Sequence, residues 1–254
     1  MTRSSAHHRR QKMLVFIRAL LHRYAYEPAE IEFVLRSLQR GDTAIDAGAE
    51  QGGFTYWMYR AVGPKGRVFA FEPQRECGPI LRGMKRSFKM SNVTLSSYAL
   101  SSRSGERDIF VPDNAPDPEA SLVQQREKIF CSYRIRTTTL DSYLARRPAP
   151  RVALIKCDVE GHESEVLQGA SRTLRINRPA LLVEREQRHI GSEPFTDVFD
   201  FLEQFGYEAY ALLRGRKIAL RTFLSRRDKN SYRGAKVNNF IFLPKNDPPG
   251  ISRK

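Results

Sequence analysis

Two stretches of this chain, Val152-Ala153-Leu154-Ile155 and Ala180-Leu181-Leu182-Val183, are apolar at every position. A strand of that kind has no polar face to turn toward water, so it belongs in a parallel sheet with helices packed on both sides. From Asp42 onward the rest of the sequence obeys the same demand: short β-branched or aromatic runs alternate with longer amphipathic stretches, the rhythm of repeated βα units. The predicted strands are Thr43–Asp46, Arg67–Phe71, Val93–Ala99, Val152–Cys157, Ala180–Val183, Tyr207–Leu212 and Phe240–Leu243. Between them the pattern predicts helices over Gly53–Val62, Arg75–Met90, Glu163–Leu174 and Phe195–Phe205, with an earlier one over Pro28–Leu38. Gly63-Pro64, Glu72-Pro73 and Arg178-Pro179 punctuate these segments where breakers are expected. The reading is a doubly wound α/β domain over residues 24–245, preceded by a basic extension at 1–23 and followed by a short tail at 246–254. A turn-rich segment from Val111 to Cys131 interrupts the rhythm and is read as an insertion of the kind that forms a lid.

Composition narrows the classes. At 254 residues with 41% hydrophobic and 28% charged side chains, wholesale disorder and membrane spanning both fit poorly. The apolar run from Met13 to Leu21 is interrupted by Arg18 and too short to cross a bilayer, and reads as a surface helix; composition alone does not separate its acid-free start from an organelle presequence. Three scattered cysteines, Cys77, Cys131 and Cys157, have no metal-site spacing and suggest a reducing compartment, so the expected location is cytoplasmic or peripheral to a membrane. Cys157, inside an apolar run, reads as a small buried hydrophobe. The net charge of +15 gathers at the ends: Arg3, Arg9, Arg10, Lys12, Arg18 and Arg23 precede the first acid, Glu27, and a second basic cluster runs from Arg214 to Lys236 around Asp228. Such surfaces suit an acidic glycan, a lipid headgroup or nucleic acid; a solvated surface without a partner explains them equally well.

The sharpest local signal is Ala44-Ile45-Asp46-Ala47-Gly48-Ala49-Glu50-Gln51-Gly52-Gly53, a strand that ends in an acid and runs through glycines into a helix. The spacing Gly48-x-x-x-Gly52 is not that of a dinucleotide fingerprint, and Asp46 would repel a pyrophosphate. An acid there suits a cationic ligand without phosphate, as the ammonium and sulfonium of S-adenosylmethionine are. The next strand delivers Glu72 before Pro73, where a carboxylate can accept ribose hydroxyls or serve as a helix N-terminal acid. Further along, Asp158 and Glu160 follow one apolar strand and Glu184 the next, so three carboxylates converge at the carboxyl edge of the sheet.

Taken together, Asp46-x-Gly48-x-x-x-Gly52, Phe71-Glu72-Pro73, Ala99-Leu100-Ser101, Thr139-Leu140-Asp141, Ile155-Lys156-Cys157-Asp158-Val159-Glu160-Gly161-His162-Glu163 and Leu182-Val183-Glu184 resemble the FkbM-type methyltransferases over roughly Tyr26 to Leu243. The resemblance implies a mostly parallel, seven-stranded Rossmann-like methyltransferase sheet, S-adenosylmethionine as donor, and transfer to a hydroxyl oxygen of a small-molecule or glycan acceptor. It places Asp46, Gly48, Glu50, Gly52, Glu72 and Ala99 in the cofactor site. Where the family usually carries Asn in the glycine loop, this chain has Glu50. For the chemistry, His162 is the expected general base, with an ordinary pKa near 6.5 that leaves it largely neutral; Asp158 is expected to contact acceptor or cofactor, and Glu184 to position the acceptor. A divalent ion on Asp158, Glu160 and Glu184 is a secondary reading, and no metal is assigned. An RNA acceptor for the basic ends and a non-catalytic nucleoside-binding module are the rival functions.

Overall fold

The computed structural model describes residues 13, 16–112, 130–147, 151–186, 195–213, 215–227 and 237–245. After a helical run at residues 16–21 and a π-helical turn, His22–Tyr26, the chain enters α1 (Pro28–Ser37), opened by proline at its first position. It then alternates β1 (Thr43–Ala47), α2 (Gly53–Val62), β2 (Arg67–Phe71), α3 (Cys77–Ser87) and β3 (Val93–Ser96). Next come β4 (Ala99–Leu100), β5 (Gly105–Pro112), β6 (Phe130–Thr138), α4 (Leu140–Ala145) and β7 (Val152–Cys157). The last part runs α5 (Glu163–Gln168), α6 (Ser171–Asn177), β8 (Ala180–Glu184), α7 (Asp197–Gln204), β9 (Tyr207–Leu213), β10 (Arg216–Ala219), α8 (Leu220–Arg227) and β11 (Asn239–Pro244).

One sheet runs in the order β10-β9-β11-β8-β7-β1-β2-β3. From β3 through β8 the pairs are parallel, while β11 is antiparallel to both β8 and β9. The wholly apolar strands sit where the sequence puts them: β7 and β8 lie in the middle, and β1 between β7 and β2 is buried along its whole length. Two hydrophobic clusters cover the two faces, one around Ile45, Phe71, Leu140, Leu167 and Phe240, the other around Ala44, Met58, Val68, Met84 and Ile241. Alternate residues of one strand thus feed opposite layers. The seven expected strands are all present, and an eighth, β10, extends the far edge as a hairpin on β9.

The structure differs from the sequence reading at three places. The expected strand Val93–Ala99 is two strands: β3 stays in the large sheet, whereas Ala99 and Leu100 leave it and pair with Thr137 and Thr138 in a three-stranded sheet, β4-β6-β5. The expected helix Glu163–Leu174 breaks at Gly169-Ala170 into α5 and α6. The ends of the expected insertion are strand, with Val111 paired to Cys131 and Pro112 to Phe130 across the β5–β6 ladder; residues 113–129 lie outside the described residues, as do 1–12, 228–236 and the tail 246–254. Cys157 is fully buried, and burial pushes its thiol well above the ordinary range, as a packing role requires. Among the described residues no helix is long and apolar enough to cross a membrane.

Candidate active site

The carboxyl ends of β1, β2 and β7 open into a cleft of about 560 Å³, counting the part that faces solvent. Its walls come from Gly48 of the glycine loop, Glu72 and Gln74 after β2, Tyr98 to Leu100, Ile109 of β5, and Asp158 to Glu160 with His162 after β7. This is the edge at which open α/β sheets bind ligands.

The glycine loop is held from three sides. Gly48 has φ of +76°, and a Cβ there would stand 1.8 Å from the Asp158 carbonyl oxygen, so only glycine lets the loops after β1 and β7 cross. The amides of Gly48 and Ala49 both donate to the Phe71 carbonyl at 3.0 Å. Glu72 closes the turn: one carboxylate oxygen accepts the Glu50 amide at 2.7 Å and the other the Gln74 amide at 2.8 Å. Burial, opposed by those two amides, raises the Glu72 carboxyl to about 7.

Beneath the loop lies a buried charge network. Lys156, the one cation within apolar β7, sends its ammonium to the Gly48 carbonyl at 2.9 Å, to Asp158 Oδ2 at 3.0 Å and toward Asp46 Oδ1 at 3.9 Å. Burial alone would lower the lysine, but Asp158 and Asp46 outweigh it and hold the ammonium above its usual range. Asp46 is fully buried and accepts the Thr55 hydroxyl at 2.5 Å. Burial raises Asp46, with Lys156 and Thr55 opposing the shift.

Asp158, Glu160 and Glu184 bring one oxygen each within 4.8 Å of the others, the convergence expected from strand order. Burial, and then Asp158, which shares a hydrogen bond with it, push Glu184 far above the carboxylate range. Asn238 donates to the free side of Glu184 at 2.6 Å. The same three oxygens form a set that a divalent ion could use. Glu163 shapes the loop from below, accepting the Val159 and Gly161 amides at 3.1 and 3.0 Å, while Arg185 bridges its other oxygen to Asp197.

His162 lines the cleft with both ring nitrogens engaged: Nε2 meets the Ser101 hydroxyl at 3.0 Å, and Nδ1 faces Glu165 at 3.4 Å. Burial first, then the nearby charge of Arg107, lowers its pKa to about 4. Burial thus favours the neutral ring, and a ring this hard to protonate is a poor proton acceptor.

A profile of the family described as "Methyltransferase FkbM domain" matches residues 46–209. The chain belongs to that family. It is therefore a methyltransferase of the FkbM type, and the glycine loop, Glu72 and the β7 loop all fall within the matched span. Among curated proteins it is 28% identical over 145 residues to hexuronic acid methyltransferase AglP of Haloferax volcanii, spanning 57% of this chain and 56% of that one. It is 25% identical over 210 residues to 2-O-methyltransferase NoeI of Sinorhizobium fredii, spanning 73% and 84%. A solved structure from Clostridium thermocellum, provisionally an rRNA-methylase, superposes with a TM-score of 0.50 at 13% identity over 84% of this chain and 90% of that one; it shares the fold.

Within this FkbM site the sequence-predicted residues divide. Gly48, Glu72, Ala99, Asp158 and His162 line the cleft together. Asp46 does not: it lies under the glycine loop, paired to Lys156 and Thr55, and so is not the cleft's floor. Gly52, with φ of +91°, caps α2 and packs on Met84, and Glu50 holds the loop's turn; neither lines the cleft. Glu184 stands behind Asp158 rather than on the wall. Sequence reasoning missed Gln74, Tyr98 and Ile109 on the wall, as well as Lys156 and Ser101 behind it. Lys156 left a signal, because a charge inside a strand buried on both faces must be paired.

Proposed function

We infer that this methyltransferase uses S-adenosylmethionine to methylate a hydroxyl oxygen of a carbohydrate acceptor. The observation that carries the reading is a cleft with Glu72 on one wall and Asp158 and Glu160 on another, within the span that matches the family. Each oxygen of Glu72 spends one acceptor position on an amide, and a carboxylate offers about four, so two remain for ribose hydroxyls. Asp158 and Glu160 supply the negative potential that a sulfonium and an ammonium require. When bound, this donor supplies an electrophilic methyl group on sulfur.

The chain's own residues do the rest. Asp158, whose carboxylate lines the cleft with Glu160 and Glu184 close around it and Lys156 at 3.0 Å, takes the acceptor proton. His162, tied to Ser101 and Glu165, positions the loop after β7 and shapes the acceptor side. The carbohydrate class is supported by the hexuronic acid and 2-O activities named for the two relatives. A cytoplasmic location accords with free cysteines in this reading.

The test is transfer of labelled methyl to a panel of uronic acids and neutral sugars, followed by Asp158→Asn. We expect label at a sugar oxygen and a loss of about 10²- to 10⁴-fold in kcat, with a smaller loss of donor affinity because Glu72 and Glu160 remain. Donor binding with no transfer to any acceptor would favour a non-catalytic module, and label in RNA would favour the nucleic-acid reading. Loss of transfer on chelation, restored by magnesium, would assign the three carboxylates to a metal instead of a proton.

A further inference from the structure

The helical run at residues 16–21 presents an apolar face that stays largely exposed, with Phe16 meeting Tyr56 at its edge. Met13, Phe16, Ile17 and Leu21 are between 39% and 57% exposed and their spacing suits one stripe of a helix, while Tyr24, 69% exposed, follows in the π-helical turn. The opposite side is anchored: Ala19 is buried and its carbonyl accepts the Trp57 indole at 2.8 Å, while His22 packs edge-on to Phe54. The stripe is therefore held outward by the fold.

Beside it lies a basic surface. Phe16 meets Tyr56 edge-on at 6.1 Å, and Tyr56 meets Phe88 at 5.1 Å. Phe88 ends α3, whose exposed side opens into a depression of about 700 Å³ lined by Arg82, Lys85, Arg86 and Lys89. Lysine and arginine in a last helical turn offset the helix dipole, but one or two suffice for that. Among the described residues none of these four is ion-paired, and Arg9, Arg10 and Lys12 precede the stripe in the sequence.

We propose that the apolar side chains of Met13, Phe16, Ile17, Leu21 and Tyr24 and the basic depression on α3 together form a docking surface for an anionic lipid bilayer. Apolar side chains enter the headgroup boundary, and the cations meet lipid phosphates and carboxylates. The charge complementarity selects this occupant over a second copy of the chain, which would bring the same +15 against itself.

Co-sedimentation of the full chain with phosphatidylcholine vesicles, with and without phosphatidylserine, tests it. Binding should be at least about tenfold tighter to the serine-containing vesicles and weaken as salt rises. Ile17→Asp with Leu21→Asp, and separately Lys85→Glu with Lys89→Glu, should each lose about tenfold or more, with donor-product affinity and circular dichroism unchanged. Equal binding to both vesicles, or none at low salt, overturns the proposal. So does an unaffected Ile17/Leu21 variant whose Lys85/Lys89 counterpart loses binding to an RNA oligonucleotide, or a dimer in sedimentation that the Ile17/Leu21 changes dissociate.

Discussion

Glu72 accepts the backbone amide of Glu50 at 2.7 Å, so the carboxylate on the cleft wall also fastens the glycine loop to the end of β2. A hydrogen bond to a charged carboxylate is worth about 1.5–3 kcal/mol. Glu72→Gln keeps the shape but replaces one accepting oxygen by an amide nitrogen, which cannot accept. Calorimetry should show donor affinity down by about tenfold or more, and denaturant unfolding a loss of about 1–3 kcal/mol. A variant that binds the donor at full strength would separate loop and ligand.

Glu50 itself holds φ of +48°. That conformation costs most L-residues about 1–2 kcal/mol, and Asn tolerates it better. It also places a second carboxylate near Glu72, which contributes to the raised carboxyl there. Glu50→Asn should therefore stabilise the protein by about 0.5–1 kcal/mol in urea unfolding. The titration of Glu72 should move down from about 7 in the same variant.

Below its cleft the protein depends on Lys156. Removing one partner of a buried ion network leaves uncompensated charge, at a cost of about 3–5 kcal/mol. Lys156→Met should destabilise by that amount. Adding Asp46→Asn should restore part of it, so that the double variant loses less than the two singles combined. Strict additivity would show that Asp46 and Lys156, 3.9 Å apart, do not interact.

His162 gives a pH dependence of known sign. Its pKa is about 4 folded and near 6.5 unfolded, so between those values the unfolded chain binds the extra proton. Its contribution is fully present above about pH 6.5 and is lost as pH falls toward 4, on the order of 3 kcal/mol in all. Glu72 and Glu163, raised to about 7, act oppositely: their stability is present below the unfolded value near 4.5 and fades as pH rises through about 7. The clean measurement is the difference in unfolding free energy between wild type and His162→Gln at pH 7.5 and pH 5. The wild-type advantage should shrink on acidification, and a constant gap would mean that the ring titrates normally.

The central strands were readable because β7 and β8 lie in the middle of the sheet between two layers, which writes the apolar runs 152–155 and 180–183. The small sheet was not, because Phe130–Thr138 alternates arginines with apolar residues on an exposed ladder whose partner lies far back in sequence. The break in the helix after β7 was hidden as well. A Cβ on Gly169 would stand 2.1 Å from the Ser101 carbonyl, a contact that local periodicity does not report. At the site, residue types and strand ends located Glu72, Asp158 and Glu184. They could not tell which carboxylate lines the cleft and which faces a buried lysine, because that depends on register: Asp46 lies inside β1 opposite Ala70, whereas Glu72 lies just past the end of β2.

The β5–β6 ladder has a rigid root and a replaceable end. Ile109 is part of the cleft wall and Tyr133 accepts the Arg75 amide at 3.0 Å, so the root is fixed to the donor side, whereas the connection from Pro112 to Phe130 closes at an entropic cost that grows only with the logarithm of its length. A connection of this kind can change in length or composition at little cost to the ladder that carries Ile109 into the cleft wall.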